Sequence, residues 1–232
     1  MKNFLIYGLI MTFSFLFLSF EGAQAATANG EYSEIELPEV ELDSEIAVET
    51  ALEERRSIRE YSEGLLTLKE VAQLLWAAQG ETETTRGFRT APSAGALYPL
   101  EVYLVTKGTK EELEAGVYQY FPDEHKLQQV MTEDKREELY QAGLQQSSIL
   151  EAPINIVLTG VYERSEDRYG QRGKRYTHME VGHAAQNIYL QAVSLDLGTV
   201  MIGAFNEGRV QDILDLEAGE KPLGILPVGR KK

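Results

Sequence analysis

The feature that most constrains this fold is one long helical pattern, from about Tyr176 to Leu195, whose residues Val181, Ala184, Ala185, Ile188, Tyr189 and Ala192 share a broad apolar face. A face that wide must lie against a sheet or other helices, and Gly198 closes the segment. Apolar runs flank it: Ile154-Asn155-Ile156-Val157-Leu158 behind Pro153, and Thr199-Val200-Met201-Ile202. Upstream, Val102-Tyr103-Leu104-Val105 reads as a strand, and Val117–Tyr120 with Leu127–Val130, joined through Pro122-Asp123, as a hairpin. Leu223-Gly224-Ile225-Leu226 supplies a last strand. Further helices are expected from Ser44 to Arg55, with Ser44 as cap and Ile46, Ala47, Ala51 and Leu52 facing inward, and from Thr67 to Gly80. In the second, Thr67-Leu68-Lys69-Glu70 is a capping box ahead of Val71, Leu74, Leu75 and Ala78. Shorter helices are expected around Glu133–Leu144 and Val210–Leu214. With no regular βαβ repeat, the class is α+β, a mixed or mostly antiparallel sheet flanked by helices, rather than a doubly wound sheet.

Residues 1–25 read as a secretory signal peptide: Lys2 starts it, Phe4 to Phe20 is almost wholly apolar, and Ala23-Gln24-Ala25 offers a cleavage site. The expected location is therefore extracellular or periplasmic. The alternative is an outward-facing protein tethered to the membrane through residues 4–20. Residues 26–43 read as an acidic linker with a break at Pro38, and residues 44–232 as one domain.

The 232-residue chain carries 22 Lys+Arg against 37 Asp+Glu, a formal charge of −15. That balance argues against binding a nucleic-acid backbone. Ten of the acidic residues fall between Glu31 and Glu54, with no cation among them, which leaves about −5 on the remainder. Immediately afterwards comes Arg55-Arg56-Ser57-Ile58-Arg59, three guanidinium groups and a hydroxyl suited to phosphate oxygens. A solvated helix end is the plainer account of the same residues. The chain has no cysteine, so thiolate catalysis, disulfides and cysteine-ligated metals are excluded.

Three other segments could meet a ligand. Ala91-Pro92-Ser93-Ala94-Gly95-Ala96-Leu97-Tyr98-Pro99 would let a backbone approach a flat group closely, although a tight turn explains it as well. Met201-Ile202-Gly203-Ala204-Phe205 follows a strand, and Gly229-Arg230-Lys231-Lys232 ends the chain with three cations. Neither a Walker loop nor a Rossmann glycine triplet is present. His178 and His183 are five apart, about 500° round a helix, so they do not face one another as metal ligands. Ser93 has no nucleophile-elbow sequence around it.

In order and spacing these segments resemble the FMN-dependent nitroreductase superfamily, specifically its SagB-type dehydrogenase branch, related to thiazoline and oxazoline oxidases. The likeness rests on RRSIREYS (55–62), LLWAAQG (74–80), RTAPSAGALYPLEVYLV (89–105), GVYQY (116–120), RYGQRGKRYTHMEVGHAAQNIYLQAVSLDLGTVMIGAF (168–205) and LGILPVGRK (223–231). It implies a nitroreductase-like fold and a homodimer with FMN at the subunit interface. It also implies an oxidoreductase working by ping-pong hydride transfer through flavin N5, between a small-molecule donor such as NADH or NADPH and an acceptor. By the same resemblance Arg55, Arg56, Ser57 and Arg59 would hold the phosphate, ribityl chain or pyrimidine edge, and Arg230 and Lys232 would close on the phosphate. Pro92, Ser93, Ala94 and Gly95 would face the flavin from the partner subunit, with Ile202, Gly203 and Ala204 along the isoalloxazine. Azoline-oxidising relatives use a Lys-Tyr pair. Here Lys174 and Tyr176 are split by Arg175, so the stretch 162–176 is expected to be a lid or substrate-facing loop. The alternatives are an exported flavin-binding module without turnover and a flavin-fragmenting enzyme of the same superfamily.

Overall fold

The structure, a computed structural model, describes residues 33–110 and 113–232. The secretory-signal and membrane-tether readings of residues 1–25 lie outside them. In chain order the described elements are β1 (Glu34–Glu36), α1 (Val48–Glu54), α2 (Leu68–Gln79), β2 (Glu81–Glu83), β3 (Phe88–Arg89), β4 (Leu100–Thr106), β5 (Gly116–Phe121) and β6 (Lys126–Met131). They continue with α3 (Arg136–Ala142), α4 (Ser147–Glu151), β7 (Ile154–Val161), α5 (Tyr162–Tyr169), α6 (Arg172–Ser194), β8 (Leu197–Thr199), α7 (Glu207–Leu214) and β9 (Glu220–Arg230).

Among the described residues the main sheet has seven strands in the order β1-β6-β5-β4-β7-β9-β8, each neighbouring pair antiparallel. The fold is α+β, as the element pattern requires. Successive side chains of a strand face opposite sides. Leu104, Ile156 and Leu158 therefore enter one core with Leu74 and Leu75 of α2 and Val181, Ala184 and Ile188 of α6. Tyr103, Val105 and Val157 enter the other with Leu139 of α3, Ile149 of α4 and Val210 and Leu214 of α7. Coverage on both faces explains why β7 reads as an unbroken apolar run.

α2 follows its sequence signals closely: Thr67 Oγ1 accepts from Glu70 N–H, the Glu70 carboxylate accepts from Thr67 N–H, and Gly80 caps the end. Elsewhere the structure departs from expectation. α1 begins at Val48 rather than after Ser44, because the Ser44 hydroxyl is engaged with Ile46 N–H and with Ser194 Oγ at 2.7 Å. Of its expected inward face Ala51 is buried, while Leu52 is 51% exposed. The strand expected over residues 199–202 splits into β8 and a single bridge from Ile202 to Ile225. β9 extends on both sides of Leu223–Leu226, which places Arg230 inside the sheet. β1 lies in the stretch read as a linker. Its Glu-Ile-Glu alternation sets Ile35 opposite Leu127 of β6, and the following Leu37 is buried with its N–H on His125 O at 3.1 Å.

The expected loop at 162–176 is instead α5 followed at once by the first turns of α6. α5 is mostly charged, with Tyr162, the buried Ser165 and Tyr169 at helical spacing as its one inward face, so it buries little apolar surface of its own and is held by packing. The two helices meet backbone to backbone at Gly173. A Cβ there would lie 2.6 Å from the nitrogen of Glu166, so only glycine allows the approach.

Candidate functional site

Residues 57–62 form an irregular edge against β8 and β9. Ser57 bridges Thr199, Ile58 N–H donates to Thr199 O at 2.9 Å, and Ser62 N–H donates to Arg230 O at 3.0 Å. The buried Tyr61 hydroxyl, between the Ile58 and Pro227 carbonyls at 2.9 and 3.0 Å, pins the segment to the sheet. The preceding guanidinium groups then project from a fixed edge. Arg56 donates to the Glu53 and Arg55 carbonyls at 2.7 and 2.8 Å, and Arg59 reaches Ser57 O at 3.4 Å. Among the described residues none of Arg55, Arg56 and Arg59 forms an ion pair. In so acidic a chain, three neighbouring guanidiniums without a carboxylate partner are chemically suited to hold an anion.

Tyr189 organises this end of the site. Its ring lies under the Arg55 guanidinium at 5.4 Å, and its hydroxyl is 3.1 Å from Ser57 Oγ and accepts from Met201 N–H at 2.8 Å. One side chain thus joins the arginine segment to the run that leads into Gly203 and Ala204. Ile202 itself is buried and exchanges both backbone hydrogen bonds with Ile225, so only Gly203 and Ala204 are exposed. A Cβ on Gly203 would meet nothing within 4 Å, which leaves its backbone open to a ligand.

The C-terminal cations are differently placed. Arg230 pairs with both carboxylate oxygens of Glu70, at 2.7 and 2.8 Å, Lys231 lies 2.6 Å from Asp196, and Lys232 lies 3.8 Å from Glu60.

Pro92, Ser93, Ala94 and Gly95 lie in a loop near the other end of α6. Gly95 (φ +67°), Ala96 (φ +53°) and Tyr98 (φ +45°) hold left-handed backbone, and the Ser93 hydroxyl accepts from Tyr98 N–H at 2.9 Å. Gly95 is pressed against α5, where a Cβ would lie 2.6 Å from Tyr169 Oη. Behind the loop, Ser93 faces Glu180 of α6, whose carboxyl is 2% exposed and pushed up to about 7, chiefly by burial. Within one chain this loop and the arginine edge are not brought together. Glu180 and Tyr189 are about 13 Å apart along the helix that carries them.

A cleft of about 240 Å³ opens beside the arginine edge, lined by Glu54, Arg56, Ile58, Tyr189, Thr199 and Lys231 among others, two cations against one carboxylate. It is smaller than the roughly 300–1,000 Å³ typical of small-molecule sites. Larger cavities, of about 510 and 860 Å³, are lined by Glu101, Glu163, Glu217 and Glu220 and by Glu41, Asp43 and Glu45. Their charge is the wrong sign for a phosphate.

The nitroreductase family model matches residues 52–230, from the end of α1 through β9. The chain belongs to the nitroreductase family. It is 48% identical to a candidate nitroreductase of Methanocaldococcus jannaschii, over 87% of this chain and 98% of that protein. The microcin B17-processing protein McbC of Escherichia coli is 28% identical over 66% of this chain and 57% of its own length. Among solved structures, a candidate nitroreductase from Ralstonia eutropha superposes with a TM-score of 0.75 at 27% identity, covering 86% of this chain and 90% of that one. An NADPH:FMN oxidoreductase from Vibrio harveyi, complexed with NAD+, shares the fold with a TM-score of 0.58 at 20% identity, covering 80% and 69%.

In this nitroreductase-family chain Lys174 and Tyr176 do not form a pair. Two positions apart on α6, they point about 200° from one another. Lys174 lies 3.8 Å from Glu166 and 5.5 Å from the Tyr162 ring centroid, while Tyr176 packs edge-on against Tyr169 at 5.1 Å. Sequence reasoning missed Tyr189, taken for part of an apolar face, and the contact of Tyr162 Oη with His178 Nε2 at 2.6 Å. It also missed Glu180. The signal for Glu180 was an acid between Thr177 and Val181, both on the buried side of α6.

Proposed function

We propose that this chain is an FMN-dependent oxidoreductase of the SagB-type dehydrogenase branch. The observation that carries the reading is the set of Arg55, Arg56 and Arg59 without carboxylate partners, tied through Ser57 and Tyr189 to the exposed Gly203-Ala204 backbone. The donor set fits a phosphomonoester with a flat ring: guanidinium forks and a hydroxyl for the phosphate end, bare backbone for the ring.

Bound FMN would supply hydride-transfer chemistry at N5 between a small-molecule donor such as NADH or NADPH and an acceptor, in ping-pong order. The chain's own residues bind and orient. Arg55, Arg56, Arg59 and Ser57 hold the phosphate end, and Tyr189 keeps Arg55 and Ser57 in place. Gly203 and Ala204 offer backbone N–H groups to the ring, with Ile202 as their buried anchor. Arg230, clamped by Glu70, and the exposed Lys232 close on the phosphate end with further positive charge. The separation of Pro92–Gly95 from the arginine edge supports a homodimer in which this loop reaches the flavin of the other subunit. Lys174 and Tyr176 sit on the flank where an acceptor enters. The apolar run and small residues of positions 1–25 support a reading in which they serve as secretory signal or tether and the protein works outside the cytoplasm, with 26–43 as lead-in and 44–232 as the flavin domain.

The test is the absorbance spectrum of protein purified and reconstituted with FMN, followed by anaerobic mixing with NADH and NADPH. Bound, reducible flavin is expected. Protein that retains no flavin overturns the cofactor reading, and bound flavin that no donor reduces leaves a binding module instead of an enzyme.

A further inference from the structure

From Arg168 to Met179 the chain carries Arg168, Arg172, Lys174 and Arg175 and no acid, in a molecule of formal charge −15. Helix stability does not explain them. Arg172, Lys174 and Arg175 fall in the first turn of α6, where the helix dipole disfavours cations, and Arg172 and Arg175, three apart, are like-charged neighbours on its surface. Carboxylates do not neutralise them either. Lys174 lies 3.8 Å from Glu166, but among the described residues Arg168, Arg172 and Arg175 form no ion pair. Arg164, one turn earlier on α5, is by contrast a brace: it meets Glu101 at 2.5 Å and donates to Tyr98 O at 3.0 Å.

Arg168 is set instead against the small-residue loop. A Cβ on Gly95 would lie 2.9 Å from its Nη1, and its Cζ is 5.5 Å from the centroid of the Tyr169 ring. Tyr169 packs in turn on Tyr176 at 5.1 Å, and Tyr176 is one helical turn from Arg172. A wall of two tyrosines thus runs from the loop to the start of α6, with exposed arginines at both ends. Arg172 and Tyr189 are about 25 Å apart along α6, so this cluster is separate from the arginine edge at 55–59.

We propose that Arg168, Arg172 and Arg175 form a second anion subsite, which holds an oxyanion carried by the substrate that exchanges hydride with the flavin. The sources of that group are the ribose phosphate of NADPH and the carboxylate of an acidic acceptor. This rests on the flavin reading of Pro92–Gly95, since a guanidinium packed on Gly95 is carried with that loop to the cofactor. Guanidinium forks match the oxygens of either group, and in dinucleotide-binding folds an arginine accommodates the extra phosphate of NADP. Three of them together also raise the local concentration of an anionic substrate.

The FMN-loaded protein tests this with two pairs of substrates, NADPH against NADH as donor and a nitrobenzoate against nitrobenzene as acceptor. The charged member of at least one pair should have the lower KM. Arg168→Gln, Arg172→Gln and Arg175→Gln should each reduce that preference about tenfold or more, the effect of one charge-assisted bond, and should raise KM for the charged substrate more than they lower kcat. A response in the donor pair assigns the subsite to phosphate, and one in the acceptor pair to carboxylate. No preference in either pair, or a preference that all three variants leave intact, overturns the proposal. In flavin-free protein, inorganic pyrophosphate should shift the NMR signals of the Arg168, Arg172 and Arg175 side-chain N–H groups, assigned through the same variants. A response confined to Arg55, Arg56 and Arg59 overturns the second subsite. Protein that takes up no FMN yet responds at 168–175 overturns the flavin reading and leaves the subsite standing.

Discussion

Two basic segments of this acidic chain look alike as sequence and differ in the fold. Arg55, Arg56 and Arg59 follow the acidic lead-in and form no ion pair among the described residues, whereas Arg230, Lys231 and Lys232 meet Glu70, Asp196 and Glu60. The difference comes from what each segment is built on. Residues 55–59 leave the end of α1, where the neighbouring polar groups are carbonyls. Arg230 is a strand residue whose position over the first turn of α2 meets the carboxylate already placed there by the capping box. A cation near an acidic element is thus left available to a ligand or becomes a brace according to whether an acid is held within its reach.

The largest expected effect sets the baseline for both segments. The proton affinity of Glu180 is raised from 4.5 to about 7, so its contribution to stability is fully present below 4.5 and is lost as pH rises through about 7. Urea unfolding should register a loss of roughly 3 kcal/mol over that window. Glu180→Gln should flatten this slope, while Arg55→Ala and Lys232→Ala leave it intact. The buried Glu220 is shifted in the same direction, so Glu220→Gln is the companion control.

Next comes the brace. Glu70→Ala removes the capping box and strands a part-buried Arg230, and should lower stability by about 2–3 kcal/mol. Thermal denaturation of Glu70→Ala beside Arg55→Ala sharpens the contrast, since the second should unfold where the wild type does. If both lose stability equally, the arginine edge is structural and the distinction between the segments fails.

Arg55→Ala and Arg56→Ala should each weaken FMN by about 1.5–3 kcal/mol per charge-assisted bond, read by flavin fluorescence titration. Unchanged affinity in both would remove the anion role from that edge. Smallest is Lys232→Ala, whose partner is 3.8 Å away with both side chains exposed. Its stability should change by no more than about 0.5 kcal/mol.

The elements readable from residue order are those whose local signals agree with their packing. α2 has cap, apolar spacing and terminal glycine together; the hairpin of β5 and β6 has its turn residues; the core of α6 has its wide face. α5 was hidden because YERSEDRY is mostly charged and its narrow face of Tyr162, Ser165 and Tyr169 carries little apolar signal, so the close glycine contact with α6 is what seats the helix. β1 was hidden because three residues amid acids become a strand only once β6 offers an edge. In the candidate site, the arginine segment and small-residue runs were legible because their composition is unusual. Tyr189 and Glu180 were not, because a tyrosine or glutamate within a helix takes its role from whatever packs against it.

Residue order by itself determined the α+β class, the position of the long helix and the candidate anion-binding and small-residue segments, since spacing and side-chain chemistry are local properties. Tertiary structure decided which cations are paired and which are not among the described residues, which carboxyl is buried behind the small-residue loop, and that this loop and the arginine edge lie apart along α6. Those depend on distances between residues remote in sequence, and on the water that packing removes from between them.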